Sequence, residues 1–199
     1  GILPACPSEM IDEHTGDIIA RELGLSEIKQ LVEDFSDAAK RCEDAGFDGI
    51  EIHGAHSYLI SQFLGKKTNR RQDEYGGDIQ NRFRFLREII ESIRNKVSQE
   101  FIIAVRISPK INTIGIEIND SIEVTKMLCE MGIDMFHLSC WDVFESLENG
   151  NNLTKLFRDY VPKEIAYAST GSIWSAKDAI WLMNQGADFV GVARVAIAH

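Results

Sequence analysis

The sequence predicts an α/β fold in which buried parallel strands alternate with amphipathic helices. Five short apolar runs are countable, two of them at 101–105 and 165–168, and unbroken apolar character is typical of parallel strands covered on both faces. The other three runs follow an internal repeat at helix-to-strand junctions, at 45–48, 131–134 and 185–188. Each junction places a glycine where a helix ends, a position that favours left-handed backbone. Such alternation allows either an open doubly wound sheet or a (β/α)8 barrel.

The predicted elements follow from local signals along the chain. Pro4 and Pro7, followed by a polar run, predict an irregular incoming loop over 1–24. Ser26 is the candidate N-cap of a helix whose apolar positions recur every three or four residues up to Gly46. The other predicted elements are a strand at 47–52, helices at 58–64 and 81–97, a strand at 101–107, and a helix whose start is marked by Ser175 and Asp178. We expect one domain over 1–199.

Composition narrows the classes of function. Lys plus Arg number 21 against 31 Asp plus Glu, a formal net charge of −10, which disfavours a nucleic acid partner because phosphate backbones repel an acidic surface. No apolar run reaches the about 18 residues of a membrane helix, and no basic stretch precedes an apolar one at the start. We therefore expect a cytoplasmic protein with neither a nucleic acid nor a membrane partner.

The functional signal is concentrated where the strand at 47–52 ends. Glu51, His53, His56 and Tyr58 follow one another closely there. Two histidines three positions apart invite a metal interpretation, but a structural site needs further ligands, and the four cysteines form no C-x-x-C pair. We therefore predict no metal and interpret the cluster as groups that bind and protonate a small-molecule substrate.

Functional residue types also follow the other predicted strands. His53, Arg106, Gly171 and Arg194 all stand at carboxyl ends of strands, which is where the active sites of βα barrels lie. The loop that holds Gly171 precedes a helix start, where backbone N–H groups favour an anion, and the loop after the last strand run, at 191–194, adds a second glycine and Arg194. The sequence therefore predicts a phosphate site built from two glycine-containing loops and one arginine.

A resemblance to a known family is carried by three segments, 53–64 (HGAHSYLISQFL), 68–77 (TNRRQDEYGG) and 81–82 (NR). Together they resemble the Old Yellow Enzyme family of FMN-dependent NAD(P)H:flavin oxidoreductases. The resemblance extends at lower density from about Leu25 to Arg194. The chain departs from the family at Ser57, where glycine is the usual residue, in the turn that carries Tyr58.

The resemblance implies a (β/α)8 TIM barrel rather than an open sheet. A complete barrel has eight strands and commonly about 250 residues, whereas this chain has 199 residues and resembles about strands four to eight. The expectation is a partial FMN-binding TIM barrel without the first three βα units and the C-terminal end of the family. Because five strands cannot close a barrel, we expect this chain alone neither to hold FMN tightly nor to turn over. We also expect its open strand edges to favour a homo-oligomer.

The resemblance also implies cofactors and residue roles. FMN would be the cofactor, and NADH or NADPH the hydride donor. His53 and His56 would bind the oxygen of the oxidising substrate, Tyr58 would donate a proton to it, and Arg106 would stand beside the flavin N1 and C2 carbonyl. The FMN phosphate would be held by residues of the last two strand-to-helix loops, namely Gly171, Ser172, Ala193 and Arg194.

Two other interpretations stand beside an oxidoreductase that passes hydride from NAD(P)H through flavin to an enone or a similar activated alkene. A phosphate-binding barrel isomerase or aldolase would use the same phosphate loops, but no lysine lies in the apolar strand runs to form a Schiff base. A truncated, non-catalytic half-barrel would keep these residues for packing or association. The visible absorption of bound flavin distinguishes the first interpretation from the other two.

Overall fold

The structure is a computed structural model that describes residues 2–12, 14–148 and 150–198 of the chain. It divides into two compact units. The first lies within Gly1–Ile50, His56–Phe101 and Ile111–Ile116, and the second within Glu51–Ala55, Ile102–Lys110 and Glu117–His199. The single domain over 1–199 stays a prediction.

The first unit begins with a small sheet, so the prediction of an irregular loop over 1–24 is wrong. The strands are β1 (Ala5–Cys6), β2 (Met10–Ile11) and β3 (Ile18–Glu22), and β3 is central, parallel to β1 and antiparallel to β2. Between β2 and β3, the Asp12 carboxylate accepts hydrogen bonds from the backbone N–H groups of His14 and Thr15. Turns of this kind let a polar run reverse the chain. The polar residues that suggested a loop therefore connect two paired strands.

Three helices complete the first unit: α1 (Leu25–Asp44), α2 (Leu59–Leu64) and α3 (Ile79–Lys96). The N-cap of α1 is Gly24 and not the predicted Ser26. The reason is the Glu27 carboxylate, which accepts from the Gly24 N–H at 2.9 Å and from Arg21 at 2.6 Å. A carboxylate in the first turn satisfies free N–H groups and complements the helix dipole. The helix therefore starts after Gly24 without a hydroxyl cap, because the Glu27 carboxylate accepts the free N–H group.

The core of the first unit is aromatic. Phe85 of α3 packs against Phe35 of α1 with ring centroids 6.4 Å apart and against Phe63 of α2 with centroids 4.4 Å apart. Phe63 and Phe85 are almost completely buried. Rings in such edge-to-face and tilted contacts contribute beyond their buried area, so one side chain of α3 joins all three helices.

The segment at 68–77, one of the three that carry the resemblance, holds the first unit together. Arg71 is buried and donates to the carbonyl oxygens of Pro7 and Leu23, both at 2.7 Å. It also donates to the Asp73 carboxylate at 2.6 Å. A buried guanidinium is tolerated only when its charge and its donors are satisfied. Arg71 therefore fixes the chain around β1 and β3.

The second unit is centred on a five-stranded sheet whose strands are adjacent in chain order. The strands are β4 (Gly49–Gly54), β5 (Ile102–Ile107), β6 (Met135–Ser139), β7 (Ala166–Thr170) and β8 (Phe189–Gly191). The helices are α4 (Ile118–Glu130), α5 (Leu153–Arg158), α6 (Ala176–Asn184) and α7 (Arg194–Ala198). The β5–β6, β6–β7 and β7–β8 pairs are parallel, and sequential parallel order is that of a βα barrel, because a doubly wound sheet reverses its order. Among the described helices, none is both long and apolar enough to cross a membrane.

The internal repeat has the structural role that the sequence indicated. Gly46, Gly132 and Gly186 follow α1, α4 and α6 with φ of +85°, +69° and +108°, so a left-handed residue ends each helix. The aspartate two residues later has a further role in two of the repeats. Asp134 and Asp188 each accept the backbone N–H of a residue in the preceding strand, at 2.8 and 2.9 Å. The repeat thus ends a helix and positions the strand next to it.

Candidate functional site

Side chains alternate across the five-stranded sheet, which gives it one apolar and one polar face. The apolar face is buried and includes Ile52, Val105, Phe136, Leu138 and Tyr167. The other face carries Glu51 and His53 on β4, Arg106 on β5, His137 and Ser139 on β6, Thr170 on β7 and Gly191 on β8. The register pairs Arg106 with His137 and Ser139 with Thr170. Polar side chains of neighbouring strands therefore share one face of the sheet, and His53 and Arg106 lie near the carboxyl ends of their strands, as predicted.

Glu51 and His137 form a hydrogen bond that spans β5, because they stand on β4 and β6. The distance from Nδ1 of His137 to Oε1 of Glu51 is 2.6 Å. Burial raises the pKa of Glu51, but the hydrogen bond from His137 and the charges of nearby cationic side chains outweigh burial, and the pKa lies below its ordinary value. The carboxylate is therefore ionised at neutral pH and accepts the Nδ1 proton.

The second ring nitrogen of His137 is buried beside Gly191 of β8. Nε2 has no hydrogen-bond partner among the described residues. A Cβ added at Gly191 would lie 3.5 Å from this nitrogen and 2.8 Å from Cβ of Thr170. Glycine at this position therefore lets β8 approach β7 and the His137 imidazole closely.

His137 was not among the predicted site residues, although the sequence contains a signal for it. Glu51, His137 and Gly191 each stand five residues after the glycine of the internal repeat. Their strands, β4, β6 and β8, are alternate strands of the sheet, and alternate strands of a βα barrel contribute side chains to one layer. Alignment of the three repeats would have predicted that these three positions lie together.

Arg106 and His53 stand on neighbouring strands of the polar face. Nη2 of Arg106 donates to the Ser139 hydroxyl at 3.0 Å. Nδ1 of His53 accepts the Ala55 N–H at 3.2 Å, so the proton of the neutral ring is on Nε2. Burial and the positive charge of Arg106 lower the pKa of His53. His53 is therefore a neutral N–H donor at physiological pH rather than a cation.

The loop after β7 carries two of the predicted phosphate residues, Gly171 and Ser172. Gly171 has φ of +149°, and a Cβ there would lie 2.5 Å from the Cys140 carbonyl oxygen. Ser172 has φ of +55°, and its hydroxyl donates to the Trp141 carbonyl at 3.1 Å. The loop therefore lies directly against the chain that follows β6, and glycine at 171 is required by this close approach.

The start of α6 offers fewer free donors than the sequence suggested. The Asp178 carboxylate accepts the backbone N–H groups of Trp174 and Ser175, at 3.1 and 2.9 Å. The Ser175 hydroxyl in turn accepts the Asp178 N–H at 3.2 Å, which confirms Ser175 as the N-cap. Because this capping box satisfies the first donors of the helix, a phosphate here would depend on the loops before α6 and α7.

Arg194 and Ala193, the other two predicted phosphate residues, lie where α7 begins. The Arg194 guanidinium stacks over the Trp174 ring at 5.1 Å from its centroid, a cation–π contact. Trp174 is half-exposed and joins the loop after β8 to the loop after β7. The structure therefore brings the two predicted phosphate loops together through an indole ring.

His56 and Tyr58 belong to the first unit, whereas His53 and Arg106 belong to the second. His56 and Ser57 have φ of +59° and +62°, and Tyr58 is the N-cap residue of α2 with an exposed side chain. The Ser57 carbonyl accepts the Gln62 side-chain amide at 2.8 Å, which holds the turn. Left-handed backbone at 57 gives a physical reason for glycine at this position, because a Cβ is strained there.

Comparison with known proteins extends the resemblance seen in the motifs. A profile of the NADH:flavin oxidoreductase / NADH oxidase family matches residues 4–199. An NADH oxidase of Thermoanaerobacter brockii is 36% identical over 208 residues, covering 100% of this chain and 32% of that protein. An NADPH dehydrogenase of Geobacillus sp. (strain WCH70) is 35% identical over 178 residues, covering 87% of this chain and 52% of that protein.

A solved structure agrees with both the fold and the family. The old yellow enzyme homologue from Zymomonas mobilis superimposes with a TM-score of 0.80 and 28% identity, over 97% of this chain and 57% of that one. The predicted fold class, a partial (β/α)8 barrel, is confirmed by this match. The chain spans about half, or less, of the length of these relatives. Profile, relatives and structure agree, and the chain belongs to the NADH:flavin oxidoreductase / NADH oxidase family, whose flavin and nicotinamide chemistry the motifs had indicated.

Proposed function

We propose that this chain supplies flavin-binding and acceptor-binding residues of an oxidoreductase that passes hydride from NADH or NADPH through FMN to an enone or a similar activated alkene. The observation that carries the proposal is the polar face of the sheet, where Arg106 and His53 stand on neighbouring strands near their carboxyl ends. The names of two relatives, an NADH oxidase and an NADPH dehydrogenase, support the same redox class.

The residues at this edge fit FMN in charge and in shape. Gly171 and Gly191 stand where a Cβ would collide with Cys140 or Thr170, so neither residue adds a side chain to the loops and strand ends that would hold the phosphate end of FMN. Arg106 supplies a permanent positive charge beside which the pyrimidine edge of a reduced flavin, which becomes negative, is stabilised. The chemistry that FMN supplies when bound is the hydride transfer itself.

The histidines and the tyrosine are assigned to the acceptor. His53 carries its proton on Nε2, because Nδ1 accepts the Ala55 N–H, and this N–H donates to the carbonyl oxygen of the enone. His56 is the second donor, and two donors stabilise the oxygen as it gains charge. Tyr58 donates its phenolic proton to the carbon next to the carbonyl, because a phenol O–H is a proton donor that can act as a general acid.

The phosphate of FMN is assigned to the two loops at the end of the sheet. Backbone N–H groups of Gly171, Ser172 and Ala193 donate to it, and the Arg194 guanidinium supplies the opposite charge. Trp174 restrains that guanidinium through the stacking contact. Because phosphate contacts bind oxidised and reduced FMN alike, they serve retention rather than hydride transfer.

The test is a titration of the chain with FMN up to millimolar concentration, followed by quenching of flavin fluorescence, with riboflavin titrated in parallel. We expect saturable binding of FMN that is tighter than that of riboflavin. At saturating FMN, which offsets the weak retention expected of an open barrel, anaerobic NADH or NADPH should bleach the bound flavin in a single reduction, and 2-cyclohexenone should restore its colour. Saturable binding of inorganic phosphate without any flavin binding would favour an isomerase or aldolase, and binding of neither would indicate a non-catalytic half-barrel.

Two substitutions separate the proposed roles in the same assay. His53→Ala should slow reoxidation by 2-cyclohexenone by roughly 100-fold, the usual loss for one oxyanion donor. Tyr58→Phe keeps the ring and should slow reoxidation by the enone while leaving bleaching by the nicotinamide unchanged. If Tyr58→Phe weakened binding of 2-cyclohexenone as much as it slowed reoxidation, the tyrosine would be a packing residue and not the proton donor.

A further inference from the structure

The polar face of the sheet holds a hydrogen-bonded pair, Glu51 and His137, that has no role in the proposed binding of FMN or of the acceptor. Glu51 and His137 are bonded at 2.6 Å, and their strands lie on either side of β5, which carries Arg106. Burial raises the pKa of the Glu51 carboxyl, but the bond from His137 and the charge of Arg106 lower it further than burial raises it. A carboxylate on the strand next to Arg106 competes with any anionic ligand for the guanidinium.

His137 determines where the carboxylate of Glu51 points. Its Nδ1–H donates to one carboxylate oxygen of Glu51 at 2.6 Å, and Nη2 of Arg106 donates to the Ser139 hydroxyl at 3.0 Å. Nε2 is buried beside Gly191 and has no hydrogen-bond partner among the described residues. A proton on Nε2 would bury a second N–H there without a partner, whereas a lone pair needs none. The geometry therefore places the ring proton on Nδ1, toward Glu51, and makes the Glu51 carboxylate the negative charge of the pair.

We propose that Glu51 and His137 are positioning residues: His137 holds the Glu51 carboxylate away from Arg106, and the pair sets how strongly Arg106 stabilises the negative charge of a reduced flavin. This inference rests on the proposed function, because Arg106 must face FMN. Glu51 reduces the effect of the guanidinium by its charge, and His137 limits that reduction by fixing the carboxylate on itself. The two residues therefore act on the flavin in opposite directions.

The measurement is the ratio of FMN affinities in the oxidised and dithionite-reduced states, obtained by anaerobic titration of the FMN-free chain and its variants. A change in that ratio equals a change in reduction potential, and tenfold corresponds to about 30 mV for a two-electron couple. Glu51→Gln should favour the reduced form roughly tenfold, because a negative charge beside the ring is removed. His137→Leu should disfavour the reduced form several-fold, because the carboxylate turns to Arg106.

Two further variants make the result specific. Glu51→Gln combined with His137→Leu should give the ratio of Glu51→Gln alone, because without the carboxylate the imidazole has nothing to restrain. Asp48→Asn removes the same charge from an exposed side chain just before β4 and should leave the ratio unchanged. A merely structural pair would lower both affinities together and leave the ratio at the wild-type value.

A second measurement needs no flavin. In the nitrogen NMR spectrum of the FMN-free chain, His137 should show a protonated Nδ1 and an unprotonated Nε2, and Glu51→Gln should abolish that preference. Shifts of the affinity ratio with the same sign in Glu51→Gln and His137→Leu, or a shift matched by Asp48→Asn, would overturn the inference alone. No binding of FMN to the wild-type chain in either redox state would overturn the proposed function and the inference with it. If Glu51→Gln does not fold, the direction of the His137→Leu shift decides.

Discussion

Two arginines, Arg71 in the first unit and Arg106 in the second, differ in the partners that their guanidinium groups bind. Arg71 is buried and bonds to backbone carbonyl oxygens that are distant in sequence, those of Pro7 and Leu23. Arg106 is less buried and bonds to a hydroxyl on the neighbouring strand. A guanidinium that binds the backbone holds a fold together, whereas one that meets side chains on an open face can exchange them for a ligand.

The largest expected effect is the loss of folding stability when Arg71 is replaced, and a small loss would contradict the comparison. Arg71→Ala removes a buried charge partner and leaves two buried carbonyl groups without their donor, so we expect a loss of about 3 to 5 kcal/mol in the free energy of unfolding. Urea unfolding followed by circular dichroism measures it. Arg70→Ala is the matched control, because Arg70 is exposed and its loss should stay within about 1 kcal/mol.

Arg106→Ala tests the other half of the comparison in the same assay. Arg106 should contribute about 1 kcal/mol or less to the free energy of unfolding, the usual worth of one hydrogen bond, while FMN affinity falls clearly. Comparable destabilisation by Arg71→Ala and Arg106→Ala would mean that bonding to backbone carbonyls, rather than to a side-chain hydroxyl, does not mark an arginine that stabilises the fold.

The second prediction concerns the acid stability of the first unit. The hydrogen bond from Arg71 lowers the pKa of Asp73, with its charge and a backbone hydrogen bond adding to the effect against burial. A depressed folded-state pKa contributes stability that is present above the unfolded-state value of about 3.9 and is lost as pH falls through the folded-state value. Asp73→Asn should therefore destabilise the chain at pH 7, and the difference from wild type should shrink below about pH 4. A difference independent of pH between 7 and 3 would contradict the ion pair.

Much of this molecule was predictable from sequence because its signals are local. The glycine of the repeat needs only its own backbone conformation, and Ser175 needs only a residue three positions later, so both were read correctly. The 1–24 sheet was missed because its strands are short and pair across a polar turn, and apolar periodicity does not report such pairing. The N-cap of α1 was predicted two residues too late, at Ser26, because the Glu27 carboxylate accepts the Gly24 N–H and no hydroxyl cap is present.

The site was predictable only where residues stand at strand ends. His53 and Arg106 were predicted by that rule and do stand near the ends of β4 and β5, but His137 lies inside an apolar run and contacts Glu51, 86 residues earlier in the chain. A contact of that separation depends on strand order and register, which one sequence does not specify. The repeat offset shared by Glu51, His137 and Gly191 was the available signal, and it becomes meaningful once a barrel layer is assumed.

A third arginine, Arg194, contacts an aromatic ring, that of Trp174, and this contact should have a small effect on FMN affinity. Trp174→Ala releases Arg194 from its stacking partner, and cation–π contacts at exposed sites are worth about 0.5 to 1 kcal/mol. FMN affinity should therefore fall by roughly three-fold, whereas Arg194→Ala should lower it further because the phosphate loses its charge partner. Riboflavin, which has no phosphate, is the control ligand. An equal loss for riboflavin would place Trp174 against the ring system rather than at the phosphate.

The smallest effect concerns Ser57, where the first unit stores strain next to Tyr58. Ser57 has φ of +62°, and left-handed backbone costs a residue with a Cβ roughly 1 to 2 kcal/mol. Ser57→Gly removes that cost but adds conformational freedom to the unfolded chain, worth about 0.5 to 1 kcal/mol. We therefore expect a net stabilisation of about 0.5 kcal/mol, seen as a higher urea midpoint with an unchanged slope.

Ser57→Ala is the control for this small effect, because it keeps the Cβ and the strain while removing the hydroxyl. The backbone carbonyl at 57 accepts the Gln62 amide in either variant, so the turn itself should persist. Ser57→Ala should then leave the midpoint near that of wild type. If Ser57→Gly instead destabilises the chain by about 1 kcal/mol, as glycine does inside an ordinary helix, the turn is unstrained, and the arrangement of His56 and Tyr58 does not depend on a left-handed residue.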